Sequence, residues 1–154
     1  MPSLPRLALA LLAPLALLAK PATAQLRVDI TEGLAAPMPI AVPVFPTPAS
    51  TATPAGDTAA LGQSIADIIA ANLQGSGLFR PIDRAALPRP THAEILKPAF
   101  FAYRTLAAQA LVSGFVTANP DGTLMVGCYL HDVFSEEELA RQGFTVPVAG
   151  WRRA

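Results

Sequence analysis

The 154-residue chain is 52% hydrophobic and 14% charged, and its eleven basic side chains are balanced by eleven acidic ones. This balance leaves no basic excess to neutralise nucleic-acid phosphates or anionic lipid headgroups, so we expect neither a nucleic acid nor a membrane surface as a partner. The single cysteine, Cys128, cannot close a disulfide within the chain. Its place in the apolar alternation of residues 124–130 predicts a buried small hydrophobe.

The first 24 residues have the organisation of a secretory signal peptide. Arg6 precedes an apolar run over residues 7–19, and Ala22 and Ala24 supply the small side chains of a signal peptidase site. We therefore expect cleavage between Ala24 and Gln25, export, and one mature domain of residues 25–154. A membrane anchor is the alternative, but a transmembrane helix needs roughly 20 apolar residues, more than this run contains.

The segment that would follow cleavage predicts a β-strand with one apolar face. A strand of this kind at a free terminus can pair within its own sheet or add to the edge of another protein's sheet. We call residues 25–33 the amino-terminal tail, and we expect this choice of strand partner to be central to the function. The alternation consists of Leu26, Val28 and Ile30 between the polar residues Arg27, Asp29 and Thr31.

The next elements are a strand, a loop and a helix. Residues 38–45 are apolar throughout, which predicts a strand covered on both faces, and Pro43 indicates an edge position or a bulge. Residues 46–56 are rich in Pro, Ser, Thr and Ala and predict a mobile surface loop. Asp57 is placed as the N-cap of a helix that stops at the glycines of residues 75–77, before a short extended piece at 78–82. The predicted apolar face of this helix is Leu61, Ile65, Ile68, Ile69 and Leu73.

The second half of the chain predicts another helix and three strands. Thr91 and Glu94 have the spacing of a capping box, and Pro98 suits the first turn of a helix. Residues 111–117 and 124–134 predict an antiparallel hairpin around the N-P-D-G turn, and residues 139–148 predict a returning strand. Trp151 begins a helical pattern that stops at Ala154, so we expect the domain to lack its last helix. The packing residues predicted for the second helix are Phe100, Phe101, Tyr103, Leu106 and Ala110.

The sequence offers no complete catalytic or metal-binding constellation. The run around Ser64 (G-Q-S-I-A) is like a nucleophile elbow, but an elbow needs a preceding strand and this serine falls on the predicted helix. His92 and His131 have no further ligands at zinc spacing. The acidic run of residues 136–138 predicts a solvated turn capped by Ser135. We therefore expect neither an enzyme nor a bound metal or other cofactor.

Three motifs resemble the amino-terminal domain of the TolB family of Tol-Pal system proteins, namely L-R-V-D-I-T-E-G, P-I-A-V-P-V-F and I-A-D-I-I-A-A-N-L-Q-G-S-G-L-F-R-P-I-D-R-A-A-L. The later A-Q-A-L-V-S-G, N-P-D-G and G-W-R-R motifs are similar to the same family. The resemblance implies an α/β (α+β) domain in which two helices pack on a mixed sheet of about five strands. In the family this domain is followed by a β-propeller, of which these 154 residues contain nothing.

The resemblance also implies a location and partners. Proteins of the family are periplasmic, connect TolA of the inner membrane to the outer-membrane lipoprotein Pal, and serve outer-membrane integrity, constriction during cell division and bacteriocin import. TolA is bound by the mature amino terminus, whereas Pal binds mainly the propeller, so we do not expect this chain to bind Pal well. The implied TolA-binding residues are Gln25, Leu26, Arg27, Val28, Asp29, Ile30, Thr31, Glu32 and Gly33.

Two alternative functions stay open at this point. The first is a periplasmic domain that binds a small ligand between the sheet and the loop of residues 46–56, although the sequence supplies few polar groups for such a pocket. The second is an inert fragment of marginal stability, because its final helix is lost.

Overall fold

A computed structural model describes residues 36–153 of the chain. The predicted signal peptide, its predicted cleavage site at Ala24 and Gln25, and the amino-terminal tail lie outside these residues. The elements in chain order are β1 (Met38–Ala41), β2 (Ala52–Thr53), β3 (Gly56–Asp57), α1 (Thr58–Gly75), β4 (Phe79–Pro81), α2 (Phe100–Thr105), β5 (Ala110–Ala118), β6 (Thr123–Asp132) and β7 (Glu138–Pro147). Short 3₁₀ turns occupy Arg84–Ala86, His92–Glu94 and Val148–Arg153.

Five strands form one mixed sheet in the order β4-β1-β5-β6-β7. β1 pairs in parallel with β4 and β5, while β5, β6 and β7 pair antiparallel. The predicted fold class, a mixed five-stranded sheet with two helices, is therefore confirmed. None of the helices within residues 36–153 has the length and apolarity needed to cross a bilayer.

Helix α1 begins and ends where its capping residues predict. The Asp57 carboxylate accepts the amide N–H of Ala59 at 2.8 Å, which satisfies one of the free donors of the first turn. At the other end Gly77 has a φ of +73°, a left-handed conformation that glycine adopts without strain. Leu61 of the predicted apolar face is buried, but Ile68 is 41% exposed because it lines an open groove beside the sheet.

The face of the sheet beneath α1 carries the larger core. Its buried members include Ile40 on β1, Phe45 in the segment after β1, Leu61 on α1, Val116 on β5 and Leu124 on β6. Helix and sheet approach so closely at Gly62 that an added Cβ would lie 2.0 Å from the carbonyl oxygen of Phe45. Glycine at this position is therefore a packing requirement.

The opposite face of the sheet is covered at one end by α2 and by the chain that leads to it. The predicted capping box is present, with the Thr91 N–H donating to the Glu94 carboxylate at 2.7 Å, although it caps a 3₁₀ turn. Helix α2 begins at Phe100, two residues after the predicted Pro98, and has only six residues. A helix this short buries one stripe, so Tyr103 is buried whereas Phe101, predicted to pack, is 73% exposed.

Two predictions on the first strand region need correction. β1 ends at Ala41, before Pro43, and lies between β4 and β5, so the edge position indicated by Pro43 is wrong. The strand does not need the missing proline N–H, because Pro43 falls beyond its ladder. The loop of residues 46–56 contains a small hairpin, in which β2 pairs with β3.

The predicted hairpin and the returning strand are both confirmed. β5 and β6 pair in register from Ala110 opposite Asp132 to Ala118 opposite Leu124. The turn that follows β6 is capped by Asp132, whose carboxylate accepts the N–H groups of Phe134 and Ser135 at 2.8 Å each. The capping side chain in this turn is therefore Asp132 and not the predicted Ser135, whose own N–H is one of the two donors.

Candidate functional site

The first element of the described structure is a central strand of the sheet. The described structure begins at Ala36, and β1 begins two residues later at Met38. β1 is central in the sheet and contributes the buried residues Ile40 and Ala41.

The two edges of the sheet differ strongly in what they offer a further strand. At one edge β4 has three residues, and its last, Pro81, has no N–H to donate. At the other edge β7 has ten residues that are almost all exposed. Among the described residues no strand pairs with the outer side of β7. β7 is therefore the edge of the sheet that can accept another strand.

The ladder between β6 and β7 shows which backbone groups of β7 point outward. The Val148 N–H donates to the Gly122 carbonyl at 3.3 Å, so this pair and every second pair along the strands are hydrogen-bonded. The backbone groups of the intervening residues Arg141, Gly143 and Thr145 then point away from β6. A bulge lies at Leu139, where the register shifts, and Pro147 lacks an N–H. These two residues terminate the regular outer edge.

The side chains beside this edge form a shallow open surface. Arg141 is held by Glu138, with Nε 2.6 Å from Oε1, and its guanidinium lies 5.8 Å from the centre of the Tyr129 ring. Gly143 lies opposite Gly127 across the strands, and an added Cβ at Gly143 would meet nothing within 4 Å. The middle of β7 therefore presents open backbone with one charged side chain folded back on its neighbours.

A second surface is an apolar groove between α1 and the uncovered part of the sheet. Ile65 and Ile69 line it from α1, Phe144 from β7, and Trp151 from the last turn, around a volume of about 270 Å³. Cys128 lies on this face, partly buried, and burial raises the pKa of its thiol to about 11. The predicted role of Cys128 as a small packing residue is thus consistent with its surroundings.

A buried polar pair lies between the sheet and α2. The Nε2 atom of His131 is 3.1 Å from the Oγ atom of Ser113, and the Phe100 ring packs edge-on against the imidazole at 5.5 Å between centroids. Burial lowers the pKa of His131, while the nearby Glu138 carboxylate acts in the opposite sense. Both members are 3% exposed, so a substrate has no access to them and the pair is structural. The sequence did not indicate it, because the two residues are diagonal neighbours on different strands.

The remaining chemical candidates do not assemble into a reactive site. Ser64 lies within α1, where its hydroxyl donates to the Ala60 carbonyl at 3.1 Å. Because Ser64 does not sit on a strand-to-helix turn, the nucleophile-elbow interpretation is excluded, as predicted from the sequence. Within residues 36–153 no three His, Cys, Asp or Glu side chains are grouped so as to hold a metal ion. Of the acidic run, Glu136 pairs with Arg104 at 2.8 Å and so ties the turn after β6 to α2.

One hollow lies between the sheet and the loop of residues 46–56, the place predicted for a small ligand. It is about 460 Å³ in volume and is bounded by Pro48 from the predicted loop and by the sheet face that carries Phe115 and Tyr129. The polar side chains at its wall are His92, Thr117 and Tyr129. His92 lies in a 3₁₀ turn, Thr117 on β5 and Tyr129 on β6. The hollow is therefore a surface depression between separate elements.

The described structure defines a small α/β domain whose notable surfaces are an open sheet edge and an apolar groove. The chain belongs to the TolB amino-terminal domain family, which matches residues 26–139. The Tol-Pal system protein TolB of Rhizorhabdus wittichii is 58% identical over 149 residues, which are 97% of this chain and 34% of that protein. The chain therefore spans about a third of the length of this relative.

Solved structures share the fold at low sequence identity. The crystal structure of TolB from Acinetobacter baumannii superposes with a TM-score of 0.51 at 18% identity, over 73% of this chain and 24% of that one. The LpoB C-terminal domain from Salmonella enterica gives a TM-score of 0.50 at 15% identity, over 73% and 84% of the two chains. The same α/β architecture thus makes up most of one neighbour and a minor part of the other.

Proposed function

We propose that this chain is a non-enzymatic, periplasmic interaction component of the Tol-Pal system, and that its amino-terminal tail binds the C-terminal domain of TolA. Membership of the TolB amino-terminal domain family supports the assignment of this chain to the Tol-Pal system. The observation that carries the binding role is the apolar-polar alternation of residues 26–31, placed directly before a strand at the centre of the sheet. A segment so placed can transmit a pull on the tail to the folded domain.

Strand addition is the mechanism that this alternation favours. The backbone of the tail would complete the edge of a TolA sheet, and the ladder hydrogen bonds would supply most of the affinity. Leu26, Val28 and Ile30 would fill apolar pockets on one face. Arg27, Asp29 and Glu32 would set the register through charge complementarity. Because the family binds Pal through its propeller, we expect residues 1–154 alone to bind Pal weakly.

In the cell this binding would connect the inner-membrane and outer-membrane parts of the system. The family role then covers outer-membrane integrity, constriction during division and the import of bacteriocins. Export by the signal peptide is part of the proposal, because the tail becomes a free terminus only after cleavage between Ala24 and Gln25.

The experiment measures binding of the exported chain to the TolA C-terminal domain by calorimetry. Three forms are compared: the intact tail, a deletion of residues 25–33, and a tail of the same composition scrambled to remove the alternation. We expect only the first form to bind with high affinity. Equal binding by the deleted form would show that the tail is not the TolA-binding site. Equal binding by the scrambled form would leave the tail but exclude strand addition.

A second candidate function, small-ligand binding, is favoured only by the hollow beside Pro48. It predicts a rise in melting temperature with a periplasmic metabolite, because a ligand that binds only the folded state stabilises it. The interaction role predicts no such rise. A thermal-shift screen on the intact chain separates the two.

A further inference from the structure

The outer edge of β7 has a symmetric pattern of backbone groups. Arg141, Gly143 and Thr145 point outward along a regular strand, and the bulge at Leu139 and Pro147 lie equally far on either side of Gly143. An antiparallel copy of the same strand, centred on Gly143, would meet each outward group with a complementary one. An edge with this symmetry is suited to itself, since an isologous contact needs one surface that is its own complement.

We propose that a second copy of this chain pairs with the outer edge of β7 about a two-fold axis through Gly143. The two sheets then form one continuous ten-stranded sheet. Gly143 lies opposite Gly143 of the second copy, and Arg141 lies opposite Thr145 of the second copy in both directions. Each of these residue pairs exchanges two backbone hydrogen bonds.

Shifted registers bring Pro147, the bulge or a pair of like charges into the ladder. Sliding one copy by two residues in one direction brings Pro147 opposite Arg141, where its missing N–H leaves a carbonyl without a donor. Sliding it in the other direction brings Thr145 opposite the bulge at Leu139, where the ladder is irregular. A slide of two more residues places Arg141 opposite Arg141, and like charges directly opposite are destabilising. The register centred on Gly143 is the one that avoids all three.

The side chains are compatible with the same register. Gly143 has open space on its side-chain face, so nothing blocks the approach of the second copy there. On the other face Phe144 would lie opposite Gln142 of the second copy, and Ala140 opposite Val146. The Arg141 side chain is already folded toward Glu138 and Tyr129, which keeps its charge off the axis.

Two substitutions at one exposed position test the register. Thr145→Glu would place a carboxylate opposite Arg141 of the second copy, and Thr145→Lys would place an ammonium there. Because of the two-fold axis, each substitution creates this contact twice in the dimer. We expect the dissociation constants of the two variants to differ by about tenfold, with Thr145→Glu the tighter, by sedimentation velocity from micromolar to near-millimolar protein. The unsubstituted chain should fall between them.

A cross-link gives an independent readout. In a Cys128→Ala background, Gly143→Cys places two thiols on the axis with Cα atoms about 5.5 Å apart, within the range that a disulfide spans. We expect it to form a covalent dimer under mild oxidation. Thr145→Cys is the matched control, equally exposed but off the axis, and should cross-link far less.

Three results would overturn the proposal. The first is a chain that stays monomeric at every concentration and gives no Gly143→Cys cross-link. The second is a dimer whose affinity is the same with Glu or Lys at position 145, since another surface would then be responsible. The third is dimerisation only after residues 25–33 are deleted, because the occupant of the edge in the intact chain would then be its own tail.

Discussion

The imidazole Nε2 of His131 lies 3.1 Å from the hydroxyl of Ser113, and both residues are buried where α2 covers the sheet. Burial lowers the pKa of this imidazole below its ordinary value of 6.5, although Glu138 partly offsets the effect. The unfolded chain therefore binds a proton at this residue at a higher pH than the folded chain does. As the pH falls below 6.5, the free energy of unfolding should decrease until the folded-state pKa is passed.

We expect urea denaturation to report lower stability at pH 5.0 than at pH 7.5. His131→Gln should remove most of that difference, because glutamine does not titrate. His92→Gln is the matched control, since His92 is exposed, and it should keep the difference. The carboxylates whose pKa hydrogen bonds lower, such as Asp57 and Asp121, lose their contributions only at more acidic pH. A His131→Gln variant with unchanged pH dependence would contradict this account.

The contact between α1 and the segment after β1 gives a prediction about glycine. An added Cβ at Gly62 would lie 2.0 Å from the carbonyl oxygen of Phe45, which is backbone and cannot rotate away. We expect Gly62→Ala to reduce the free energy of unfolding by about 2 kcal/mol or more through overpacking. Gly75→Ala, at the end of the same helix with nothing within 4 Å, should be neutral or stabilising by up to about 1 kcal/mol. Chemical denaturation of both variants makes the comparison, and equal effects would mean that α1 can shift away.

Much of this fold could be predicted because its signals are local. Asp57 caps the residue two positions on, Thr91 and Glu94 bond three positions apart, and the turn before Gly122 closes within four residues. The failures concern contacts between residues distant in sequence. Phe101 is exposed because of where α2 meets the sheet, and the central place of β1 depends on pairing with β4 and β5.

The same distinction applies to the candidate surfaces. The role of the tail is predicted from its alternation and from the family resemblance, and its residues lie outside the described structure, so this role stays a prediction. The open edge of β7 could not be predicted, because the outward direction of Arg141 and Gly143 follows from a register fixed by the partner strand. The pairing of Ser113 with His131 likewise depends on two strands meeting in one register.

The partly buried thiol of Cys128 gives a prediction about reactivity. Burial raises its pKa to about 11, so the nucleophilic thiolate is scarce near neutral pH. We expect the native protein at pH 8 to react with iodoacetamide much more slowly than a free thiol of ordinary pKa. The same chain unfolded in urea should react at the ordinary rate, which serves as the control. Fast labelling of the native form, measured by mass spectrometry, would show that this face of β6 opens readily.

Strand addition by the tail makes a prediction about which side chains matter for TolA binding. Val28 lies on the apolar face of the alternation, and Val28→Ala removes two methyl groups that the proposal places in a pocket. We expect this variant to bind the TolA C-terminal domain about tenfold more weakly, since each buried methyl or methylene contributes about 0.8 kcal/mol. Thr31→Ala, on the polar face, should change the affinity less than threefold, because its side chain would stay in water. Calorimetry on the exported chain measures both, and an effect of equal size at the two positions would mean that the tail does not bind as a strand with one buried face.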